Sequence, residues 1–225
     1  MLTKTEKRFT LIFVLLLILE IITSSYAVLE MLHYFAKPAL LISLIIFFCK
    51  ESAAINKPIK RLTVIALVFS LLGDILLMFV QISPHFFMSG LIAFLIAHVF
   101  YVLVFTKQRN PQAKPISFVL ALLLYACVLF YFLKPGLGDM LIPVIIYMAV
   151  ILSMATAAFL RLGFVIKTSF TLVFLGAILF MISDSLLALN KFYKPLPLSN
   201  VSIMFTYAFA QLCIVLGLLK QSKKS

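Results

Sequence analysis

The feature that most constrains this chain is a series of eight long apolar runs, each separated from the next by a short polar segment. About 20 apolar residues in a helix, rising 1.5 Å per residue, cross the hydrocarbon core of a bilayer. Only helices and closed barrels satisfy their backbone hydrogen bonds there. Barrel strands alternate apolar and polar residues, whereas these runs are apolar on all sides. We predict an all-α polytopic integral membrane protein with eight transmembrane helices, at residues 9–26, 35–49, 62–81, 86–105, 116–133, 141–160, 168–189 and 199–219.

The composition excludes most other classes of protein. Charged residues make up 12% of the chain and hydrophobic residues 64%, against about a quarter and about half in soluble domains. A soluble enzyme, a disordered protein and a DNA-binding domain are therefore all excluded. The net charge of +12 is spread between the apolar runs, so no nucleic-acid partner is expected. No loop has room for a soluble domain, and we expect residues 1–225 to form a single eight-helix transmembrane domain.

The loop cations predict an orientation. Lys and Arg residues are enriched on the cytoplasmic side of membrane proteins, and in this chain they alternate between a rich and a poor side. Fifteen lie on one side: Lys4, Lys7, Arg8, Lys50, Lys57, Lys60, Arg61, Lys107, Arg109, Lys114, Arg161, Lys167, Lys220, Lys223 and Lys224. Four lie on the other: Lys37, Lys134, Lys191 and Lys194. This pattern supports an even number of spans with both termini cytoplasmic. Glu20 interrupts the first run, which favours a retained helix over a cleaved signal peptide.

Ionisable side chains within the spans are the candidates for function, because placing them in hydrocarbon is costly. The candidates are Glu20, Asp74, His98 and Asp184, with Tyr101, Ser183, Tyr207 and Gln211 as polar companions. At 1.5 Å per residue the three carboxyl groups fall in the outer half of the membrane, about 8–10 Å from the ends of their helices. His98 and Gln211 fall deeper, at about 18 Å.

The two aspartates are the residues that most need an explanation. A buried polar network could link helices through Ser or Asn at much lower desolvation cost. That structural interpretation suits Gln211, Tyr207 and Ser183 taken singly. Two carboxyl groups at one depth can instead divide acid and base roles, one holding its proton while the other is ionised. We predict that Asp74 and Asp184 meet within the helical bundle.

A weak internal repeat supports this meeting. The segment Gly73-Asp74-Ile75-Leu76-Leu77 resembles Ser183-Asp184-Ser185-Leu186-Leu187, four spans later. The helix after each contains a similar step, Ala97-His98 in one case and Ala210-Gln211 in the other. We hypothesise a duplicated four-helix unit about an axis along the membrane normal.

Five segments, in order along nearly the whole chain, resemble the YhhN-like family, the lysoplasmalogenases of bacterial and animal membranes. They are Phe35-Ala36-Lys37-Pro38, Ser70-Leu71-Leu72-Gly73-Asp74, residues 90–101 with His98 and Tyr101, residues 175–188 with Ser183-Asp184, and residues 207–212 with Tyr207 and Gln211. Glu20 and the first span have no counterpart in this resemblance.

The resemblance implies cleavage of the vinyl-ether bond of lysoplasmalogens, which gives a fatty aldehyde and a glycerophospho-base. It implies a lysophospholipid substrate taken from membrane lipid, a bacterial cytoplasmic (inner) membrane location, no cofactor and no protein partner. Asp74 and Asp184 would be catalytic, as paired carboxyls are in glycoside hydrolysis. His98 and Tyr101 would orient them or shuttle protons, and Lys37, at the outer mouth of its span, would meet the substrate phosphate. The predicted substrate-binding residues are Lys37, His98, Tyr101, Ser183, Tyr207 and Gln211. Either aspartate could donate the proton.

Two other functions compete with this one. A zinc hydrolase needs several histidines at one metal, but we place His33 and His85 in outer loops and only His98 within a span. The cysteines (Cys49, Cys127 and Cys213) are far apart and predict neither a metal site nor a disulfide. A proton-coupled transporter of a small or lipid-like substrate would also use acids within the membrane, with Gly73, Gly176 and Pro143 as the residues that could break its helices.

Overall fold

The computed structural model describes residues 3–221, and within them it confirms eight helices long and apolar enough to cross a membrane. They are α1 (Lys4–Ser25), α2 (Glu30–Glu51), α3 (Lys57–Met78), α4 (Pro84–Thr106), α5 (Ile116–Leu133), α6 (Leu141–Phe159), α7 (Lys167–Phe192) and α8 (Ser199–Leu219). Lys223 and Lys224, which we counted with the cytoplasmic cations, lie outside the described residues.

The helix boundaries agree best with the sequence in the second half of the chain, where they differ by at most three residues, and least at the starts of the first three helices, which come five residues earlier than predicted. Helices α5 and α8 begin and end at the predicted residues. Helix α2 begins at Glu30 rather than at residue 35, after a single 3-10 turn at Ala27–Leu29. Helix α3 begins at Lys57 rather than at residue 62, and Pro58 lies in its first turn, where a missing N–H costs nothing.

The chain divides into two compact units, one ending at Val104 and the other starting at Phe105. The first unit holds α1, α2, α3 and nearly all of α4. In it, α2 packs against both α1 and α3. The rings of Phe9 and Phe47 stack with their centroids 3.9 Å apart, and Leu40, Leu44 and Phe48 of α2 are fully buried. Helix α2 is therefore the central element of this packing.

The second unit holds α5 to α8. Helices α7 and α8 pack along most of their lengths, and α6 packs on α7. Helix α8 is buried along its entire second half, from Ala210 to Leu218. At the end of α5, Leu133 and Leu137 form a small apolar cluster with Val144 of α6. Helix α7 thus contacts all three of the other helices in this unit.

Candidate functional site

Asp74 lies in the last turn of α3, four residues before Met78, which puts it about 6 Å from the end of the helix. Its side chain is only 3% exposed. Ser70, one turn earlier on the same face, is fully buried. The sequence placed Asp74 within its span near the outer end, and the structure adds that this face of α3 points into protein.

A close approach of α3 and α4 positions the residues around Asp74. A Cβ atom added at Gly73 would lie 2.6 Å from Cε2 of Phe94, and one added at Gly90 would lie 2.8 Å from Cδ2 of Leu77. These two contacts fix an antiparallel register in which Asp74 lies near the level of Phe94. A side chain at position 73 would force the helices apart, so glycine is what permits this contact.

His98 and Tyr101 lie deeper on α4 in this register. His98 comes one turn after Phe94, and thus about 5–6 Å below the level of Asp74. Both His98 and Tyr101 are fully buried. Because residues three apart share a helix face, both side chains point towards the interior. Asp74 and His98 therefore lie at different levels along the α3–α4 pair, and their depths in the membrane stay a prediction.

His33 differs from its predicted position. Lys37 is half-buried and comes seven residues after the start of α2, about 10 Å along the helix, and its place at the outer mouth of the membrane span stays a prediction. His33 lies inside α2, not in an outer loop, and its Nδ1 lies 3.0 Å from Oε2 of Glu20. His85 lies in the first turn of α4. The predicted loop was wrong because Glu20 of α1, itself fully buried, provides a partner that lets this polar turn continue the helix.

In the second unit, Asp184 accepts a hydrogen bond from a residue that the sequence did not single out. The hydroxyl of Tyr147, on α6, donates to Oδ2 of Asp184 at 2.6 Å. Tyr147 is 8% exposed. The only signal in the sequence was a tyrosine in an otherwise apolar stretch of the sixth span, which does not by itself identify a partner 37 residues away.

The neighbours of Asp184 on α7 bond to other elements. Ser183 Oγ donates to the carbonyl oxygen of Ile203 on α8 at 3.0 Å. Tyr125 of α5 donates its hydroxyl to Ser185 Oγ at 2.6 Å. Ser183 therefore ties α7 to α8, the structural role that the sequence favoured for it taken singly, and its contact with substrate stays a prediction. Ser185 ties α7 to α5, so Asp184 lies on a segment fixed from three sides.

Tyr207 and Gln211 are buried on α8 at different levels. The Tyr207 ring meets that of Phe180, one turn below Asp184, edge-on with centroids 5.4 Å apart. Gln211 is fully buried and lies beside the contact at Gly176, where an added Cβ would be 2.8 Å from the carbonyl oxygen of Ala210. Gly176 precedes Asp184 by two turns, so Gln211 lies about 12 Å below the carboxyl.

Arg161 is a buried cation that the sequence counted only as a loop charge. Its Nη2 donates to Oε1 of Gln108 at 2.8 Å and to Oγ of Ser169 at 3.0 Å, and Ser169 in turn donates to the carbonyl oxygen of Gly217 at 2.7 Å. The guanidinium carbon lies 5.8 Å from the ring centroid of Phe105. Burial lowers the pKa of Arg161 to about 9, so the group is charged at neutral pH. It joins the α6–α7 connection to the ends of α4 and α8.

The geometry thus places the candidates in two sets. Asp74, His98 and Tyr101 share the α3–α4 pair, and Lys37 lies on α2, next to α3. Asp184, Ser183, Tyr207 and Gln211 share the α7–α8 pair, with Tyr147 joining from α6. The meeting of the two aspartates stays a prediction. Across residues 3–221, no three His, Cys, Asp or Glu side chains are grouped as metal ligands would be.

These features define an integral membrane protein whose residues 3–221 form eight helices of membrane-spanning length, with a buried aspartate on α3 and a tyrosine-bonded aspartate on α7. The YhhN family model matches residues 32–218. The chain therefore belongs to the YhhN family, as the resemblance in the sequence predicted. The matched segment includes every candidate site residue except Glu20, which lies on α1 outside it. No solved structure matches the chain significantly.

Curated relatives carry the name lysoplasmalogenase. The human protein lysoplasmalogenase TMEM86A is 34% identical over 155 residues, which is 68% of this chain and 63% of its own length. Human lysoplasmalogenase TMEM86B is 34% identical over 69% of this chain and 62% of its own. The lysoplasmalogenase of Mycobacterium tuberculosis is 30% identical over 193 residues, covering 82% of this chain and 71% of its own. The chain thus spans less than two thirds of the human relatives' length.

Proposed function

We propose that this protein is a lysoplasmalogenase-type hydrolase, which cleaves the vinyl-ether bond of lysoplasmalogens within the membrane. The products are a fatty aldehyde and glycerophosphoethanolamine or glycerophosphocholine. The observation that carries the proposal is the similarity, over 82% of the chain, to a mycobacterial protein named lysoplasmalogenase. The buried carboxyl group of Asp74 and the tyrosine-bonded one of Asp184 supply the functional groups that this hydrolysis requires.

The reaction follows from the chemistry of an enol ether. A general acid protonates the β-carbon, and the α-carbon becomes an oxocarbenium ion that a nearby carboxylate stabilises. Water, deprotonated by a base, adds to that carbon and forms a hemiacetal. The hemiacetal then breaks its bond to the glycerol oxygen, which takes up a proton, and the aldehyde leaves. One water molecule is consumed, and the acid and base return to their starting states.

We assign the acid and base roles to Asp74 and Asp184, with no assignment of which one donates the first proton. His98 and Tyr101, buried one to two turns below Asp74, orient the acid or relay its proton. The proposal requires both aspartates to reach one substrate molecule. Substrate contacts fall to Lys37, which attracts the phosphate as a point charge, and to the face of α7 and α8 that carries Ser183, Tyr207 and Gln211. No cofactor and no protein partner is needed.

The substrate enters from the lipid bilayer, since a lysolipid partitions there. We place both termini in the cytoplasm, because the cation-rich segments share the side of the termini, and we place the protein in the bacterial inner membrane. The outer halves of α3 and α7 then hold the two aspartates. The division of the chain after Val104, with nearly four helices before it, supports the proposed duplication, which superposition of the two halves would test.

The deciding experiment is aldehyde release from a purified lysoplasmalogen by the protein in nanodiscs. The saturated alkyl-ether analogue is the control substrate, because it lacks the double bond that must be protonated. Asp74→Asn and Asp184→Asn are each expected to reduce the rate by at least about 100-fold, the lower range of acid–base catalysis. Ser185→Ala, next to Asp184, is the matched control. Turnover of the saturated ether at the same rate, or full activity in both Asn variants, refutes the proposal.

Two further measurements test the mechanism: the double variant tests whether the two carboxyl groups act together, and deuterium incorporation tests the protonation of carbon. Residues that act as a unit have strongly non-additive effects, so the double Asn variant is expected to be no slower than the slower single one. Fully multiplied losses would contradict a shared site. In D₂O the aldehyde should carry one deuterium at the carbon next to its carbonyl, because the acid delivers its proton there. An aldehyde without that deuterium excludes the carbon-protonation step.

A further inference from the structure

The surface at the start of α3 combines cationic and aliphatic side chains that have no role in the proposed hydrolysis. Lys57, Lys60 and Arg61, followed by Val64 and Ile65, line an open groove of about 420 Å³. Lys57 and Arg61 are exposed, and Lys60 is half-buried. Residues at these spacings lie on one helix face. The groove therefore has a cationic end at the first turns of the span and an aliphatic end one turn further in.

An exposed apolar stripe continues from the aliphatic end of the groove. Ile65, Val68 and Leu72 are 36%, 47% and 42% exposed, and their spacing of three and four residues puts them on the same side of α3. The stripe is about 10 Å long from Ile65 to Leu72. Together the groove and the stripe have the order of a phospholipid, with charge at the membrane edge and hydrocarbon below it.

The charges of the groove are available to a ligand. Within residues 3–221, neither Lys57 nor Arg61 pairs with a carboxylate, and Lys60 donates from Nζ to the carbonyl oxygen of Cys49 at 3.1 Å. This bond holds the lysine at the end of α2, beside the other two cations. Orientation of the chain needs positive charge on this side and a spanning helix needs apolar side chains towards lipid, but neither requires a groove in which the two meet.

We propose that this surface, the α3 groove, binds an anionic phospholipid, with the phosphate at Lys57, Lys60 and Arg61 and an acyl chain along Ile65, Val68 and Leu72. Basic residues at the end of a span attract anionic lipid by about 1 kcal/mol each. Arginine adds paired hydrogen bonds to phosphate oxygens. The site belongs to one face of α3 and is independent of the hydrolase assignment.

Native mass spectrometry of the detergent-purified protein tests the site, with dioleoylphosphatidylglycerol and dioleoylphosphatidylcholine as the probes. The wild type should bind phosphatidylglycerol more tightly, and each cation removed should weaken this binding about fivefold. The variants are the triple K57Q/K60Q/R61Q and the double K57Q/R61Q, which keeps the Lys60 bond to Cys49. The matched control is K107Q/R109Q/K114Q, which removes the same charge from the exposed α4–α5 connection.

The outcomes decide the proposal in either direction. It is supported when both groove variants lose the preference for phosphatidylglycerol, the control keeps it, and I65S/V68S also weakens binding. Equal affinity of the wild type for the two lipids overturns it. So does an equal loss in the control triple, which would show a response to net charge alone. Displacement of the lipid by millimolar inorganic phosphate would identify a free-anion site and also overturn it.

Discussion

Replacing Tyr147 by phenylalanine tests the part of the candidate site that the sequence did not predict. The substitution removes one oxygen atom and keeps the ring. It thereby deletes the 2.6 Å hydrogen bond to Oδ2 of Asp184 in a place where Tyr147 is 8% exposed and water does not readily replace it. The carboxyl group would lose the donor that fixes the direction of one of its oxygens.

The size of the effect follows from the kind of bond. Hydrogen bonds contribute about 0.5–1.5 kcal/mol between neutral groups and about 1.5–3 kcal/mol when one group is charged. If Asp184 changes its charge during the reaction, this bond differs in strength between the ground state and the transition state. We therefore expect Tyr147→Phe to lower kcat by about 5- to 150-fold, corresponding to about 1–3 kcal/mol, with little change in KM.

Tyr125→Phe is the matched control, since it removes the same atom from a 2.6 Å hydrogen bond to Ser185, the residue next to Asp184. Because both variants are assayed while folded, a difference in kcat between them belongs to the bond with Asp184 and not to lost stability. The assay is aldehyde release at saturating lysoplasmalogen, well below the unfolding temperature of each variant. A Tyr147→Phe enzyme with wild-type kcat, beside an inactive Asp184→Asn, would refute a role for this hydroxyl in the reaction.

The remaining predictions concern stability and are read from thermal unfolding in detergent. Gly176→Ala should destabilise the protein by about 1–3 kcal/mol, because the new methyl group would lie 2.7 Å from Cγ1 of Ile214 and 2.8 Å from the carbonyl oxygen of Ala210; an unchanged midpoint would contradict the close packing of α7 on α8. Ser169→Ala should cost about 2 kcal/mol, since it removes an acceptor from the buried Arg161. In a protein that already carries Arg161→Met, Ser169→Ala should lower the stability clearly less, because the donor to Ser169 is gone. Additive losses of stability would contradict this coupling between Arg161 and Ser169. Leu198→Asn should stabilise by about 1 kcal/mol, because Leu198 is exposed and has a φ of 52°, a conformation that Asn tolerates better; a lower midpoint would contradict this.

The sequence predicted the secondary structure well wherever the hydrocarbon core of the membrane permits only a helix. The bounds of α5 and α8 were predicted to the residue, since a run of about 20 apolar residues has to form a helix. It failed at α2, where polar residues in the first turns looked like a loop. Whether such a turn is helical depends on a partner from another helix, and the pair of Glu20 with His33 is a property of how α1 packs on α2.

The candidate site likewise contains residues that the sequence could identify and residues that it could not. Asp74, His98 and Asp184 could be found from the sequence because an ionisable group in an apolar run is conspicuous without any knowledge of its surroundings. Tyr147 could not, because a tyrosine is common in membrane helices and acquires its role only by reaching Asp184 from α6. Arg161 was interpreted as a loop charge, and only its tertiary contacts with Gln108, Ser169 and the Phe105 ring show that it is buried. Hydropathy is a property of each residue and its near neighbours, so the sequence determined the spans; hydrogen-bond partners far apart in the chain were decided by the tertiary structure alone.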